Sequence, residues 1–353
     1  MRFAFSEEQL AVQQACRQML RAHCTADHVH AAWTSQAGRV PGLWGRLTEL
    51  GVPGLMAPEW AEGLALGEEE LALVLEECGR VGTPEPVIEH VAVAVPLLAE
   101  AIAAAERAQA DGAALETARA ALRAAAAGEA LLAVGLRPGE PVSYAGQADH
   151  ALLVDRATGA LHLVPRAALT VEEQTSVDRT RRPGLVTWQP DAATLLLAGE
   201  AAGELCARAL DRGAFASAAF LVGLADRMVQ LGVEYAKVRE QFGKAIGSFQ
   251  AVQHRIVNAC IALEMARPVV WRAAWSLASG QPEASLHCSM ARIHGVEAAE
   301  RAAREILQIH GAIGYTTEYE LHLWMKRTWS LASAWGTVRE HEQRVERALL
   351  GAE

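Results

Sequence analysis

An arginine, an aromatic residue, two glycines and a glutamine lie close together in "REQFGKAIGSFQ", Arg239 to Gln250. Arg239 closes a long apolar helix, where a cation suits the negative end of the helix dipole. Its planar guanidinium can also fork onto a phosphate. Phe242 and Gly243 end that helix. Gly247 and Ser248 are expected to open the next one, whose first-turn N–H groups make an anion site. Gln250 can donate and accept. The same residues equally describe a plain αα-corner, with Phe242 in the core, Arg239 snorkelling and Gln250 in water. A second stretch, "QIHGAIGYTTEYELHLWMKR" from Gln308 to Arg327, ends another helix in Gly-x-x-Gly. Glycines there permit close backbone approach by a ligand.

Other chemistries find little support. No G-x-G-x-x-G follows a strand, and neither a phosphate-binding G-x-x-x-x-G-K-[ST] nor a G-x-S-x-G elbow is present. His287 and His294 are seven residues apart on one helix, without H-E-x-x-H, so no metal site is assigned. "DRTRRPG", Asp178 to Gly184, gathers three arginines and reads first as a solvated turn, second as a phosphate contact. The net charge of −10 and the absence of a Lys/Arg run argue against nucleic acid. Six scattered cysteines without C-x-x-C fit reduced thiols in a cytoplasmic setting. The opening MRFAFSEEQ has no apolar signal core. No uncharged run reaches the roughly 20 residues of a membrane helix, so no membrane partner is expected.

The elements that position these residues come in three blocks. A capping box at Ser6 and Gln9 starts a helix over Glu7 to His23. Helices are expected over "PGLWGRLTELG", "LGEEELALVLEECGRVG" and the nearly all-apolar "PVIEHVAVAVPLLAEAIAAAERA", with Ala-rich sequence continuing to Ala127. From Gly128 to Gly199 short apolar runs between turn residues ("EALLAVGL", "DHALLVDR", "ALHLVP", "ALTVEE", "GLVTW", "ATLLLAG") predict strands. Helical periodicity then holds to the end. The predicted fold class is α+β, mostly α. Its domains are an N-terminal helical domain (1–127), a reduced β domain (128–199) and a C-terminal helical bundle (200–353).

Taken together, the two chemistry-bearing stretches resemble the acyl-CoA dehydrogenase family. One of its motifs is matched by Arg239, Phe242, Gly243, Ile246 and Gln250, the other by Gln308, Ile309, Gly311, Ala312, Gly314, Tyr315, Glu318 and Tyr319. The resemblance spans the whole chain. It implies the acyl-CoA dehydrogenase fold, FAD as cofactor and α,β-dehydrogenation of an acyl-CoA thioester. It also implies cofactor contacts by Arg239, Phe242, Gln250, Gln308, Ile309, His310, Gly311, Ala312 and Thr337. Ala312 replaces the family's second glycine.

The chain departs from the family where the catalytic base belongs. The family's Tyr-Glu-Gly-Thr element is here "SAWGT", with Trp335 in place of the acid. The alternative base position, on the first bundle helix, holds Gly213. Asp211 and Glu340 are the candidates for a displaced base. The family's Thr-Glu-Pro-Gly loop is absent from "AVGLRPGEPVSYAG". No catalytic residue is therefore assigned. The chain resembles the short, base-lacking subunit of α2β2 steroid side-chain acyl-CoA dehydrogenases, which implies a longer partner subunit carrying the base. A homomeric enzyme with a displaced base and a flavin-free scaffold are the competing expectations.

Overall fold

The computed structural model describes residues 4–109 and 112–351. Helices α1 (Glu7–His23), α2 (Ala26–Thr34), α3 (Leu43–Glu49), α4 (Glu68–Val81), α5 (Val95–Arg107) and α6 (Ala113–Ala126) come first. Residues 110–111 of the Ala-rich stretch fall outside the described residues. Strands β1 (Leu132–Gly135) to β7 (Leu195–Leu197) follow, then α7 (Gly199–Val238), a minute hairpin β8 (Glu240–Gln241) and β9 (Lys244–Ala245), and helices α8 (Gln250–Ala278), α9 (Ala284–His310), α10 (Leu321–Ala332) and α11 (Val338–Leu350). All six runs read as strands are strands. The fold is mostly α, as the periodicity predicted.

Compactness groups these elements into two units, each made of separate segments. The first comprises 1–34, 72–83 and 214–353. Long helices dominate it, and Phe215, Phe220, Leu224 and Met228 of α7 are fully buried. Charge pairs tie α1, α4 and α7 together: Arg17 meets Glu77 at 2.7 Å, and Arg80 meets Glu76 at 3.1 Å and Asp226 at 2.5 Å. Trp324 is a core residue of α10 whose indole N–H donates to the Arg80 carbonyl at 3.1 Å.

The second unit comprises 35–71 and 84–213. One sheet has the order β1-β3-β4-β7, with β1 parallel to β3 (His150–Val154), β4 being Leu161–Pro165. The other is antiparallel, ordered β2 (Val142–Ser143), β6 (Pro183–Thr187), β5 (Thr170–Glu173). The apolar helix expected before the strands starts as a wider π-helical segment, Val87–Ala94. Its His90 is fully buried, with Nε2–H donating to the Ala125 carbonyl and Nδ1 accepting from the Leu132 N–H at 3.0 Å. Burial holds that imidazole down to about 4. Glu89, from the same segment, pairs with Arg181 at 2.8 Å.

That pair corrects the reading of "DRTRRPG". Asp178, Thr180 and Arg181 are buried, and Arg182 donates to the Ser35 carbonyl. The cluster holds the second unit together; it is neither a solvated turn nor a free phosphate contact. Val87–Arg107 and Gly199–Val238 are long and apolar enough to cross a membrane by composition. Their apolar windows, however, are 78% and 83% buried within the protein.

Candidate functional site

The corner at Arg239 differs from both readings of the sequence. Instead of helix meeting helix, β8 and β9 pair Glu240 with Ala245 and Gln241 with Lys244. The two residues between them, Phe242 and Gly243, have φ of +55° and +80°. Positive φ at both positions is what a tight type I′ hairpin requires. Glycine takes this conformation freely; a phenylalanine held there stores about 1–3 kcal/mol. Phe242 is also 93% exposed, so it is not a core residue. Phe249 lies edge-on to it, ring centroids 6.1 Å apart.

Ser248 does not open the next helix. It sits in a preceding short turn, where its hydroxyl donates to the Ala245 carbonyl at 2.7 Å. Phe249 is extended and its carbonyl receives the N–H groups of Val252 and Gln253, so α8 begins at Gln250. Gly247 is needed for packing, because a Cβ there would lie 2.9 Å from the Ala236 carbonyl oxygen. The side chains of Arg239 and Gln250 are exposed, and among the described residues neither finds a protein partner.

The structure brings the second stretch to the same end of the helical unit. Tyr235, one turn before Arg239, stacks on His310 with ring centroids 4.3 Å apart. His310 is buried, with Nδ1 donating to the Ile306 carbonyl at 2.8 Å and Nε2 accepting from the Tyr319 hydroxyl at 3.0 Å. Burial lowers the pKa of this imidazole. His310 and Ile309 thus turn inward, while Gln308, Gly311 and Ala312 are exposed. Gly311 has φ +66° and open space around it, as a close backbone approach needs. Gly314 is different: a Cβ there would sit 2.9 Å from the His310 Cβ, so its smallness serves packing. Tyr235 is the residue that sequence reasoning missed. Its spacing four residues before Arg239 was the available signal.

Thr337 lies elsewhere. It caps α11, donating to and accepting from Glu340 in a capping box. That engagement leaves the Glu340 carboxylate a poor displaced base. The loop before it, Ser333–Thr337, is held by Arg292 of α9. Arg292 and His310 are eighteen residues apart on one helix, about 27 Å at 1.5 Å per residue. The nine candidate residues therefore divide between two ends of the helical unit. In that second loop Trp335 has φ +57°, and its indole Nε1 is buried without an acceptor among the described residues.

The exposed guanidinium, amides and aromatic face at the Arg239 end fit a ligand with phosphates and a ring surface. No group of three or more His, Cys, Asp or Glu among the described residues is placed to hold a metal.

Comparison with known proteins places this geometry. Residues 6–116 match the model of the acyl-CoA dehydrogenase N-terminal domain and residues 203–350 that of the C-terminal domain. The chain belongs to the acyl-CoA dehydrogenase family. The acyl-CoA dehydrogenase IpdE2 of Mycobacterium tuberculosis is 31% identical over 343 residues, 96% of each chain. Among solved structures, the ChsE4–ChsE5 complex of M. tuberculosis superposes with a TM-score of 0.84 at 23% identity, covering 100% of both chains. A variant of the steroid ACAD Tcur3481–Tcur3483 gives 0.81 at 26% identity, covering 98% of both.

Proposed function

We propose that this chain is the FAD-completing subunit of a cytoplasmic hetero-oligomeric acyl-CoA dehydrogenase. A longer subunit of the same family would carry the glutamate that removes the α-proton. The substrate class is a bulky acyl-CoA, with steroid-derived side chains favoured by the named relatives.

The observation that carries this reading is the exposed Arg239–Phe242 hairpin. A strained, 93% exposed aromatic beside a guanidinium that finds no partner among the described residues is poorly explained by packing within this chain. It makes sense as a surface that a dinucleotide bound across a subunit boundary would cover. Arg239 would fork onto the pyrophosphate, Phe242 would pack on the adenosine part, and Gln250 and Gln308 would hydrogen-bond it. Gly311 leaves room for backbone approach. His310 would act through its neighbours, fixing the end of α9. Bound FAD supplies the hydride acceptor.

The residues at the two base positions that the family resemblance implies favour this division of labour. Trp335 stands where the family's acid belongs, Gly213 at the alternative position, and Glu340 is committed to its cap. An aromatic ring at position 335 cannot take a proton from a substrate. Co-expression with a longer family member carrying that glutamate tests the reading. The expected product is a yellow complex containing both chains, bleached by acyl-CoA. A colourless complex overturns it.

A further inference from the structure

Helix α8 turns an apolar ridge to water. Val257, Ile261 and Met265 are 49%, 56% and 65% exposed. Their spacing of four puts them on one line, about 12 Å long at 1.5 Å per residue. Single exposed apolar side chains are ordinary, but three aligned on one helix face make a patch. The neighbouring long helix does not share this feature: α9, packed along α8, shows Glu297 and Arg304 to water. The charged residues flanking the ridge are engaged within the chain. Arg255 meets Glu305 at 2.7 Å, Glu264 meets Arg267 at 2.5 Å, and Arg272 lies over the Trp275 ring at 4.7 Å. The polar residues on the exposed face beside the ridge, His254 and Asn258, are neither acids nor Lys or Arg.

A row of i±4 side chains packs into the matching grooves of a second helix, crossing at about −50°. Such a crossing touches over only a few turns, which is the length of this ridge. Two properties choose the second helix. Different chains select each other through complementary charge, and this ridge has no unengaged acid or cation to offer. A surface that meets its own copy must instead be self-complementary about a two-fold axis. With Ile261 on that axis, Val257 of one chain faces Met265 of the other, a short side chain against a long one, as interdigitation requires. The net charge of −10 also keeps copies apart wherever their surfaces are charged. We infer that the α8 ridge is the docking surface for a second copy of this chain, antiparallel about a two-fold axis through Ile261. Gln250, eleven residues earlier, then stands about 17 Å along α8 from the axis, so the Arg239 hairpins of the two copies point to opposite ends. The inference goes beyond the flavin reading and does not need it.

Sedimentation equilibrium of the full chain, with no other subunit, tests it. The expected mass is twice the chain's 37.8 kDa. Ile261→Glu should lower the dimer affinity at least about thirtyfold, as a substitution at the centre of an interface does, with unchanged circular dichroism. A wild-type chain that stays monomeric at every concentration tested, or an Ile261→Glu chain that dimerises as wild type does, overturns the inference. Cross-linking gives a readout that does not depend on losing anything. Ile261→Cys, in a Cys260→Ala background, should join to itself on mild copper–phenanthroline oxidation. In the co-expressed two-chain complex, a cross-link between two copies of this chain supports the inference, and one to the longer subunit overturns it. The colour of that complex is a separate reading: a colourless complex removes the flavin proposal and leaves the α8 contact standing.

Discussion

Two aromatic residues in this chain share a backbone conformation and little else. Phe242 and Trp335 both lie in the left-handed region, at φ +55° and +57°. Phe242 rides on a two-residue hairpin turn with its ring in water. Trp335 sits in a loop gripped by a buried arginine, a buried histidine and a helix cap. At the first end the polar groups are free and the strain is tolerated by an exposed turn. At the second the carbonyls of Ala334, Trp335 and Gly336 all accept from buried side chains, and the fold holds the loop rigidly. The lesson is that strain alone does not mark a site. What surrounds the strained residue tells whether the fold has left a surface to be covered or has locked a loop in place.

The sharpest way to break this contrast is at the locked end. Arg292→Met should cost about 1–3 kcal/mol, because it leaves the buried Leu331 and Ala334 carbonyls without their donor. Urea unfolding measures it; a loss below about 1 kcal/mol would mean that the clamp is not holding the loop. The open end should behave oppositely. Arg239→Ala should leave unfolding within about 0.5 kcal/mol of wild type, as exposed substitutions usually do. FAD affinity of the complex should nevertheless fall about tenfold to a hundredfold, the loss of a charge-assisted bond. A stability loss comparable to that of Arg292→Met would erase the distinction between the two ends.

Acid sharpens it further. Burial lowers the His310 pKa, so the unfolded chain takes up its proton first as pH falls below the ordinary histidine value. The stability that neutral His310 contributes is present above that value and is lost as pH drops toward the depressed one. Protonated Nε2 can no longer accept from Tyr319, so the open end should loosen in acid. His90, held to about 4, adds an acid loss of about 3 kcal/mol in the other unit. NMR titration of the His310 ring therefore separates the two contributions. An apparent pKa at or above the free-histidine value would show that His310 is not buried as described. The smallest effect is at the turn itself. Phe242→Asn makes Asn-Gly, the preferred pair for this hairpin, and should raise stability by about 1 kcal/mol while weakening flavin binding. A thermal melt and a flavin titration read both halves of that trade.

Much of this molecule was legible in its residues. The capping box at Ser6, the helix over Glu7–His23 and the six apolar runs between turn residues depend on neighbours a few positions apart, and local physics decides them. The corner was only half legible. Arg239, Phe242 and Gln250 could be picked out by type and spacing, but helical periodicity gives no warning that four residues pair as β8 and β9. The same holds for Thr337 and Gln308. Both were candidates for one cofactor, yet a helix length separates them within the chain.

What the sequence determined by itself is the long helices, the six apolar strands and the residue types at each position, since an indole at position 335 cannot ionise as a carboxylate does whatever surrounds it. Only the tertiary structure decided which of the candidates are free. His310 turned inward because the Tyr235 and Tyr319 rings enclose it, and Gly314 became packing because His310 lies against it. Phe242 became surface because its turn faces away from the core. Burial and partnership are properties of distant residues brought together, and a linear pattern does not contain them.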